Sequence, residues 1–450
     1  MVKTLLVIGG GAGGMAAASK AKRTNPELRV VVLEAKNHVS HAPCGLPFFF
    51  AGYFDDPNVL VHYGPEVFKK RGIDVLLRTK ATKIDFSGRI VYAIDQREKE
   101  YEFEYDYLVL AMGAKPRRLH IDGEDLDCVY YIRHIDDGIP IKQKLKKAEN
   151  IVLIGAGYIN VELAEAFIHQ QKKVTIITRG DRILSKLDPD MSEIVEKNMI
   201  AKKVNIRKNE HVVGFEGSNN ELRKVITDKD EYKAEIAIVG IGIEPNTDIV
   251  NGSKIEFGIR RTIKTNEKME TNIENVYAVG DLAETKNIVT GRPSWFPLAH
   301  VANKMGRTAG SNIGGVDMKF FGAAGTTFVK FFETAVAQTG LSTKQAQSEN
   351  FEVKSVKIEA LNKPRYYPDA SKVYIKLIYD SKTRKLLGGQ AIGGQGVDGK
   401  INVVAAALYA GLRVEEIFQL DLGYSPPFSP VWDPLVVASS VSMRDLIRKK

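Results

Sequence analysis

Val7-Ile8-Gly9-Gly10-Gly11-Ala12-Gly13-Gly14-Met15-Ala16-Ala17-Ala18 decides the fold: an apolar strand runs into a glycine-rich turn and then a helix of small residues. Gly9 permits the tight turn, Gly11 lets backbone N–H groups approach a pyrophosphate, and Gly14 lets the helix pack close on the strand. Val30-Val31-Val32-Leu33-Glu34 follows as a buried strand ending in an acid, and Glu34 is placed to hold ribose hydroxyls. Strand, turn, helix, strand and terminal acid in register mark a dinucleotide-binding unit, not a glycine-rich turn alone. The spacing recurs at Ile151-Val152-Leu153-Ile154-Gly155-Ala156-Gly157-Tyr158-Ile159-Asn160-Val161-Glu162, followed by Val174-Thr175-Ile176-Ile177-Thr178-Arg179. The chain therefore carries a second unit. There Asn160 stands in place of the third glycine, with a wider gap between helix and strand as the expectation, and Thr178 replaces the terminal acid. A carboxylate at that position repels a 2′-phosphate, so Thr178 beside Arg179 suits NADP; Arg179 as a plain solvent-facing loop residue is the alternative.

A third piece, Thr271 to Asp281, is a short apolar strand ending in Gly280-Asp281. An acid at the carboxyl end of a parallel strand faces the ligand crevice, so Asp281 is placed to hydrogen-bond a polyol chain, with capping of the helix that follows as the plainer alternative; both roles can coexist. From about Phe320 alternating strands such as Lys372 to Tyr379 mark a separate α+β domain. A chain of 450 residues with 44% hydrophobic and 26% charged residues and a mean hydropathy of -0.17 is an ordinary globular protein. That length suits about two to four domains. Two cysteines, Cys44 and Cys128, exclude a disulfide framework and a four-cysteine metal site, and no metal is expected. The start of the chain reads as a strand and not a signal peptide, and the apolar stretch Thr4 to Ser19 is broken by five glycines. A cytoplasmic protein without a membrane helix is expected. The net charge of +9 is scattered in groups such as Lys69-Lys70-Arg71 and Lys146-Lys147, which argues against nucleic acid. A phosphorylated small molecule and a merely basic surface both fit it.

Ala111-Met112-Gly113-Ala114-Lys115-Pro116 is similar to an ATGxxP linker, and Tyr277 to Asp281 is similar to the second FAD motif, YAxGD. With the two glycine fingerprints, the whole chain resembles the flavin-dependent pyridine nucleotide-disulfide oxidoreductases. Within them it resembles the single-cysteine branch of coenzyme A-disulfide reductase, NADH oxidase and NADH peroxidase. The resemblance implies an α/β protein of two Rossmann-like dinucleotide-binding domains, for FAD and NAD(P), plus a C-terminal α+β dimerisation domain. The expected boundaries are 1–115 and 251–319 for the FAD domain, 116–250 for the NAD(P) domain and 320–450 for the dimerisation domain. It implies FAD on Gly9, Gly11, Ala12, Gly14, Glu34, Ala111, Gly113, Gly280, Asp281 and Ala299. It places NADPH or NADH on Gly155, Gly157, Tyr158, Glu162, Thr178 and Arg179, with Tyr158 covering the flavin until the nicotinamide arrives. A homodimer is also implied.

Ser40-His41-Ala42-Pro43-Cys44-Gly45-Leu46-Pro47 resembles the SxxxCGxP segment of the coenzyme A-disulfide reductase group, which makes Cys44 the redox centre. Phe49 stands where a dithiol partner would be, so Cys44 must cycle between thiolate and mixed disulfide, persulfide or sulfenic acid. Outside that resemblance, a solitary cysteine in an apolar segment is a small buried hydrophobe. A helix opening after Cys44 with its N-terminus toward the sulfur would lower the thiol pKa. His41 is weighed as a proton donor. Tyr366-Tyr367-Pro368, the stretch Asp421 to Pro427 and Asp433-Pro434 resemble the group's C-terminal signature. This implies that Tyr367 and Tyr424 reach the cysteine of the other subunit, with interface packing as the plainer alternative. Ala12 stands in place of the histidine of the branch's oxidases and peroxidases, and Gly399-Lys400-Ile401-Asn402 departs from the family's basic pair. Coenzyme A carries phosphates, for which Lys20, Lys22, Arg23, Lys69, Lys70, Arg71 and Ser40 are the substrate-binding expectation. The implied activity is NAD(P)H-dependent reduction of coenzyme A disulfide or a related small disulfide or persulfide. An NAD(P)H oxidase, a polysulfide reductase and a flavin module for a ferredoxin-like partner remain open.

Overall fold

The computed structural model describes residues 2–447. The strand Thr4–Ile8 is apolar and buried from Leu5 onward and pairs in parallel on both sides, with Arg29–Leu33 and with Tyr107–Leu110. The complete sheet runs Val276–Ala278, Tyr107–Leu110, Thr4–Ile8, Arg29–Leu33, Ile73–Leu76, all parallel. Strand order reverses at Thr4–Ile8, and the crevice at such a reversal is where this architecture binds ligands. The glycine turn leaves that strand end. The helix Ala12–Thr24 then buries Gly13, Gly14, Ala17, Ala18 and Ala21, and these small residues let it lie close against the helix Ala299–Ile313.

A second parallel sheet orders Asn205–Lys208, Lys173–Thr178, Asn150–Ile154, Ile236–Val239 and Val129–Tyr130. The two sheets are joined by a ribbon in which Ala114–Pro116 pairs antiparallel with Ile243–Pro245. The expected boundary at 115/116 therefore falls inside a paired strand. The third unit is an antiparallel sheet ordered Thr327–Phe331, Thr334–Gly340, Leu386–Gly393, Lys372–Asp380, Val353–Leu361, with the helices Val397–Ala410 and Pro434–Ile447 beside it. Phe320 packs into the core of the first sheet, so the chain enters this third unit only after it. No helix among the described residues is long and apolar enough to cross a membrane.

One short helix ties the domains together. Leu46–Ala51 follows the first sheet's loops, yet Leu46, Phe49 and Phe50 lie in the core of the second domain, with the Phe50 ring 5.9 Å from that of Phe167. Each such burial contributes about 1.5–3 kcal/mol. It fixes the segment carrying Cys44 against the helix Tyr158–His169.

Candidate active site

The first glycine turn is built by its neighbours. Gly9 has φ +104, and a Cβ there would lie 2.3 Å from the Ala111 carbonyl oxygen; one on Gly14 would lie 1.9 Å from that of Gly9. Only glycine fits either position. At Gly11, by contrast, the space around a Cβ is open, and the helix Ala12–Thr24 starts there with no side-chain cap, so its first N–H groups are free for an anion. The Glu34 carboxylate accepts from the N–H of Gly10 at 2.7 Å and of Lys36 at 2.8 Å, which holds it at the strand end with lone pairs left for hydroxyls. These residues fit a flavin dinucleotide.

The other flavin residues of the sequence reading converge on the same turn. Gly13 faces Val279, Gly280 and Ala302, which brings the Asp281 turn and the helix beginning at Ala299 against the first helix. Asp281 lies inside the turn Gly280–Leu282, whose N-cap is Val279, so the capping alternative gives way. Its carboxylate instead pairs with Arg133, whose guanidinium also borders Gly113. Trp295 donates its Nε1–H to the Asp281 carbonyl at 2.7 Å. Neither Arg133 nor Trp295 carries a sequence motif.

Cys44 sits in the single turn Pro43–Gly45 and is exposed, whereas Cys128 is buried. The expected fall of the Cys44 pKa does not occur. The surrounding chain desolvates the thiol, and the Glu162 and Asp281 carboxylates add to that, so its pKa is raised despite Arg133. The helix that follows has only six residues, too few for its terminus to outweigh these effects. His41 lies 5.4 Å from His134 between ring centroids; burial, with His134 beside it, pushes its pKa down to about 4. It is neutral at physiological pH, which disfavours it as the proton donor.

On the other side of Cys44 stands the second glycine turn. Asn160 bridges to the strand end: fully buried, its Nδ2 donates to the carbonyls of Ile154 at 2.9 Å and Gly155 at 2.7 Å. An amide thus replaces the close packing that a third glycine gives. Tyr158 opens the helix, and its hydroxyl meets Thr327 Oγ1 at 3.0 Å; burial pushes its pKa to about 12, so the phenol stays neutral. One turn on, burial and the nearby Glu165 raise the Glu162 carboxyl to about 7. Thr178 is buried at the strand end and accepts from Gly180 N–H at 3.2 Å, while Arg179 is exposed. Lys186 lies 6.0 Å over the Tyr158 ring and Arg260 5.7 Å over Trp295, two further cations that the motifs did not mark.

The expected phosphate-binding residues divide. Lys22 spends its ammonium on the carbonyls of Pro26 at 2.6 Å and Leu28 at 2.7 Å, closing the loop after its own helix. Two of its three donors are thus used locally. Its stem borders Gly72, so the two basic segments do meet, and among the described residues Lys20, Arg23 and Lys69 have no carboxylate partner. Arg71 stacks on Tyr63 at 4.8 Å. Ser40, at φ +49, donates its N–H to Gly10 O at 2.9 Å beside the first turn. Of the C-terminal tyrosines, Tyr424 lies beside Tyr366 and raises its phenol pKa, and Tyr367 lies beneath Lys363, whose ammonium is 5.3 Å from its ring.

The chain is similar to known proteins along its whole length. A family described as pyridine nucleotide-disulphide oxidoreductase matches residues 3–306, and its dimerisation domain matches residues 326–435. The chain is 43% identical over 443 residues to the NAD(P)H sulfur oxidoreductase (CoA-dependent) of Pyrococcus abyssi, covering 98% of each chain. It is 43% identical over 445 residues to the NAD(P)H coenzyme A polysulfide/persulfide reductase of Pyrococcus horikoshii, again covering 98% of each. Among solved structures, an NAD-dependent persulfide reductase from A. fulgidus superposes with a TM-score of 0.96 at 33% identity, over 99% of this chain and 84% of that one.

Proposed function

Since the chain belongs to the pyridine nucleotide-disulphide oxidoreductase family, we propose that its electron acceptor is a sulfur–sulfur bond carried by coenzyme A, as a disulfide or a persulfide. The protein is an FAD-dependent NAD(P)H oxidoreductase with a dimerisation domain. Bound FAD supplies the link between a hydride donor and a sulfur acceptor by taking up and releasing an electron pair. The observation that carries the reading is the placement of Cys44: an exposed thiol whose electrostatic neighbours are Asp281 and Arg133 on the flavin side and Glu162 on the nicotinamide side.

The Cys44 thiolate attacks the acceptor bond, forms a mixed disulfide and releases coenzyme A thiolate; an electron pair then cleaves that disulfide and restores the Cys44 thiolate. With coenzyme A persulfide, attack on the outer sulfur releases coenzyme A thiolate and leaves a Cys44 persulfide, which an electron pair cleaves to Cys44 thiolate and hydrosulfide. Arg133 is the group that favours the thiolate, and Glu162 opposes it when ionised. Lys20, Arg23 and Lys69 take the phosphates of coenzyme A, and Tyr367 and Tyr424 supply a proton across a homodimer. Of the relatives at 43% identity, one is named a CoA-dependent NAD(P)H sulfur oxidoreductase and another an NAD(P)H coenzyme A polysulfide/persulfide reductase, which supports this acceptor class. The test is NADPH consumption with coenzyme A disulfide, coenzyme A persulfide and an uncharged small disulfide. A preference for the coenzyme A compounds that Arg23→Ala and Lys69→Ala remove supports the reading; equal use of the uncharged disulfide overturns it.

A further inference from the structure

The loop between the strand Lys173–Thr178 and the helix Pro189–Ala201 lies on the second glycine turn: the Leu184 N–H donates to the Ala156 carbonyl at 2.8 Å, with Leu184 itself at φ +43. A left-handed leucine is unfavourable and persists where its surroundings enforce it. Within the loop, Leu187 N–H donates to Leu184 O at 2.8 Å, and Ser192 Oγ donates from the helix to Ile183 O at 2.6 Å. The loop ends at Asp188, which is held from another domain.

Asp188 stands at the N-cap of the helix Pro189–Ala201, where an aspartate ordinarily accepts from the first free N–H groups. Its carboxylate makes no such bond. Instead Oδ1 accepts from the Thr343 N–H at 2.9 Å, while Oδ2 accepts from the Thr343 hydroxyl at 2.5 Å and pairs with Lys376 Nζ at 2.8 Å. The Asp188 N–H turns the same way, to Gln390 Oε1 at 3.1 Å. Lys376 and Gln390 sit directly opposite one another on paired strands of the dimerisation domain, and Thr343 opens a short helix of that domain. Asp188, Lys376 and Gln390 are all buried. Lys376 also reaches Asp190, in the first turn of the helix, at 2.7 Å.

We propose that Asp188 and Lys376 are positioning residues for nicotinamide cofactor binding: through them the dimerisation domain holds the loop 179–188 in the arrangement that props the second glycine turn. A buried ion pair adds little net stability, because desolvating both charges offsets their attraction, and its use here is to fix where the loop lies. The proposal rests on Gly155–Gly157 as the cofactor's turn, and that reading has its own check. A Cβ on Gly157 meets nothing within 4 Å, so Gly157→Val should fold and cover the turn. Unchanged NAD and NADP affinity in that variant removes the reading and the proposal with it.

For the proposal itself, NAD and NADP are titrated optically into the FAD-loaded enzyme with no acceptor present, and flavin reduction is followed at saturating NADPH. Lys376→Met strands a buried carboxylate, so the double variant Asp188→Asn, Lys376→Met, which removes both charges, is measured beside it. Both should weaken NAD and NADP alike by about tenfold, as the fraction of loops in the binding arrangement falls to about a tenth, while the saturated rate stays at the parent's. Lys357→Ala removes the more exposed partner of Asp190, at 3.2 Å, and should bind both cofactors like the parent. A lowered melting temperature with unchanged affinities would make the group structural only and overturn the proposal. A loss confined to NADP, or one that Lys357→Ala shares, would overturn it as well.

Discussion

The Arg133 guanidinium closes an ion pair on the Asp281 carboxylate, joining residues 148 positions apart at the mouth of the flavin crevice. Asp281 is 12% exposed and Arg133 31%, so the pair is partly screened by solvent. Arg133→Met leaves a largely enclosed carboxylate without its cation, at a cost of about 1–3 kcal/mol. The FAD-free variant should melt lower than the parent. Because Arg133 also favours the Cys44 thiolate, the pH profile of Cys44 alkylation should move up. An unchanged melt together with an unchanged profile contradicts this role.

Glu162 gives the opposite sign. Its folded pKa of about 7 lies above the unfolded 4.5, so its contribution to stability is full below 4.5 and is lost as pH rises through about 7. Glu162→Gln should therefore melt higher than the parent above that pH, with the difference shrinking in acid. Iodoacetamide should also modify Cys44 faster in the variant above pH 7, where the native carboxylate opposes the thiolate. Slower modification would show that Glu162 acts on Cys44 by another route.

Cofactor choice should divide between neighbours. Arg179→Ala is expected to lower kcat/KM for NADPH and spare NADH, and Thr178→Glu to exclude NADPH by placing a carboxylate against its 2′-phosphate. Steady-state kinetics with both cofactors check this, and a loss shared equally by NADH and NADPH in Arg179→Ala would remove the assignment.

Asn160→Ala removes both donors from the Ile154 and Gly155 carbonyls in a fully buried place. The expected loss is about 1–3 kcal/mol in denaturant unfolding, with weaker NADP binding as the second glycine turn loosens. A stability equal to the parent's would mean that the amide is dispensable.

The parts of this protein that depend on local backbone geometry were legible in the sequence. Gly9 and Gly14 announce themselves because a Cβ would collide with a carbonyl at either place, and Glu34 follows at the end of the next strand. Arg133, Lys186, Arg260 and Trp295 were not legible, because an arginine or lysine in a loop has no signature until the fold brings its partner across. The same reason explains Lys22, whose charge invited a phosphate although its ammonium closes a local turn. Asn160 was legible as a departure from pattern but not as a donor, since its two acceptors become visible only when the strand end is placed. The packing of Leu46–Ala51 was hidden for a related reason: Phe49 and Phe50 follow the first domain's strands in sequence and bury themselves in the core of the second.

If Cys44 alone carries electrons to the sulfur acceptor, Cys44→Ser must lose that step and keep every earlier one. Serine cannot form a mixed disulfide or leave as a stable anion, whereas hydride transfer from the nicotinamide needs no sulfur. The measurement is a pair of half-reactions on the FAD-loaded variant: reduction by NADPH under anaerobic conditions, followed by addition of coenzyme A disulfide or persulfide. The variant should keep FAD, be bleached by NADPH and stay bleached when the acceptor is added, while Cys128→Ser behaves like the parent. Reoxidation of Cys44→Ser by the acceptor at a rate near the parent's would contradict it.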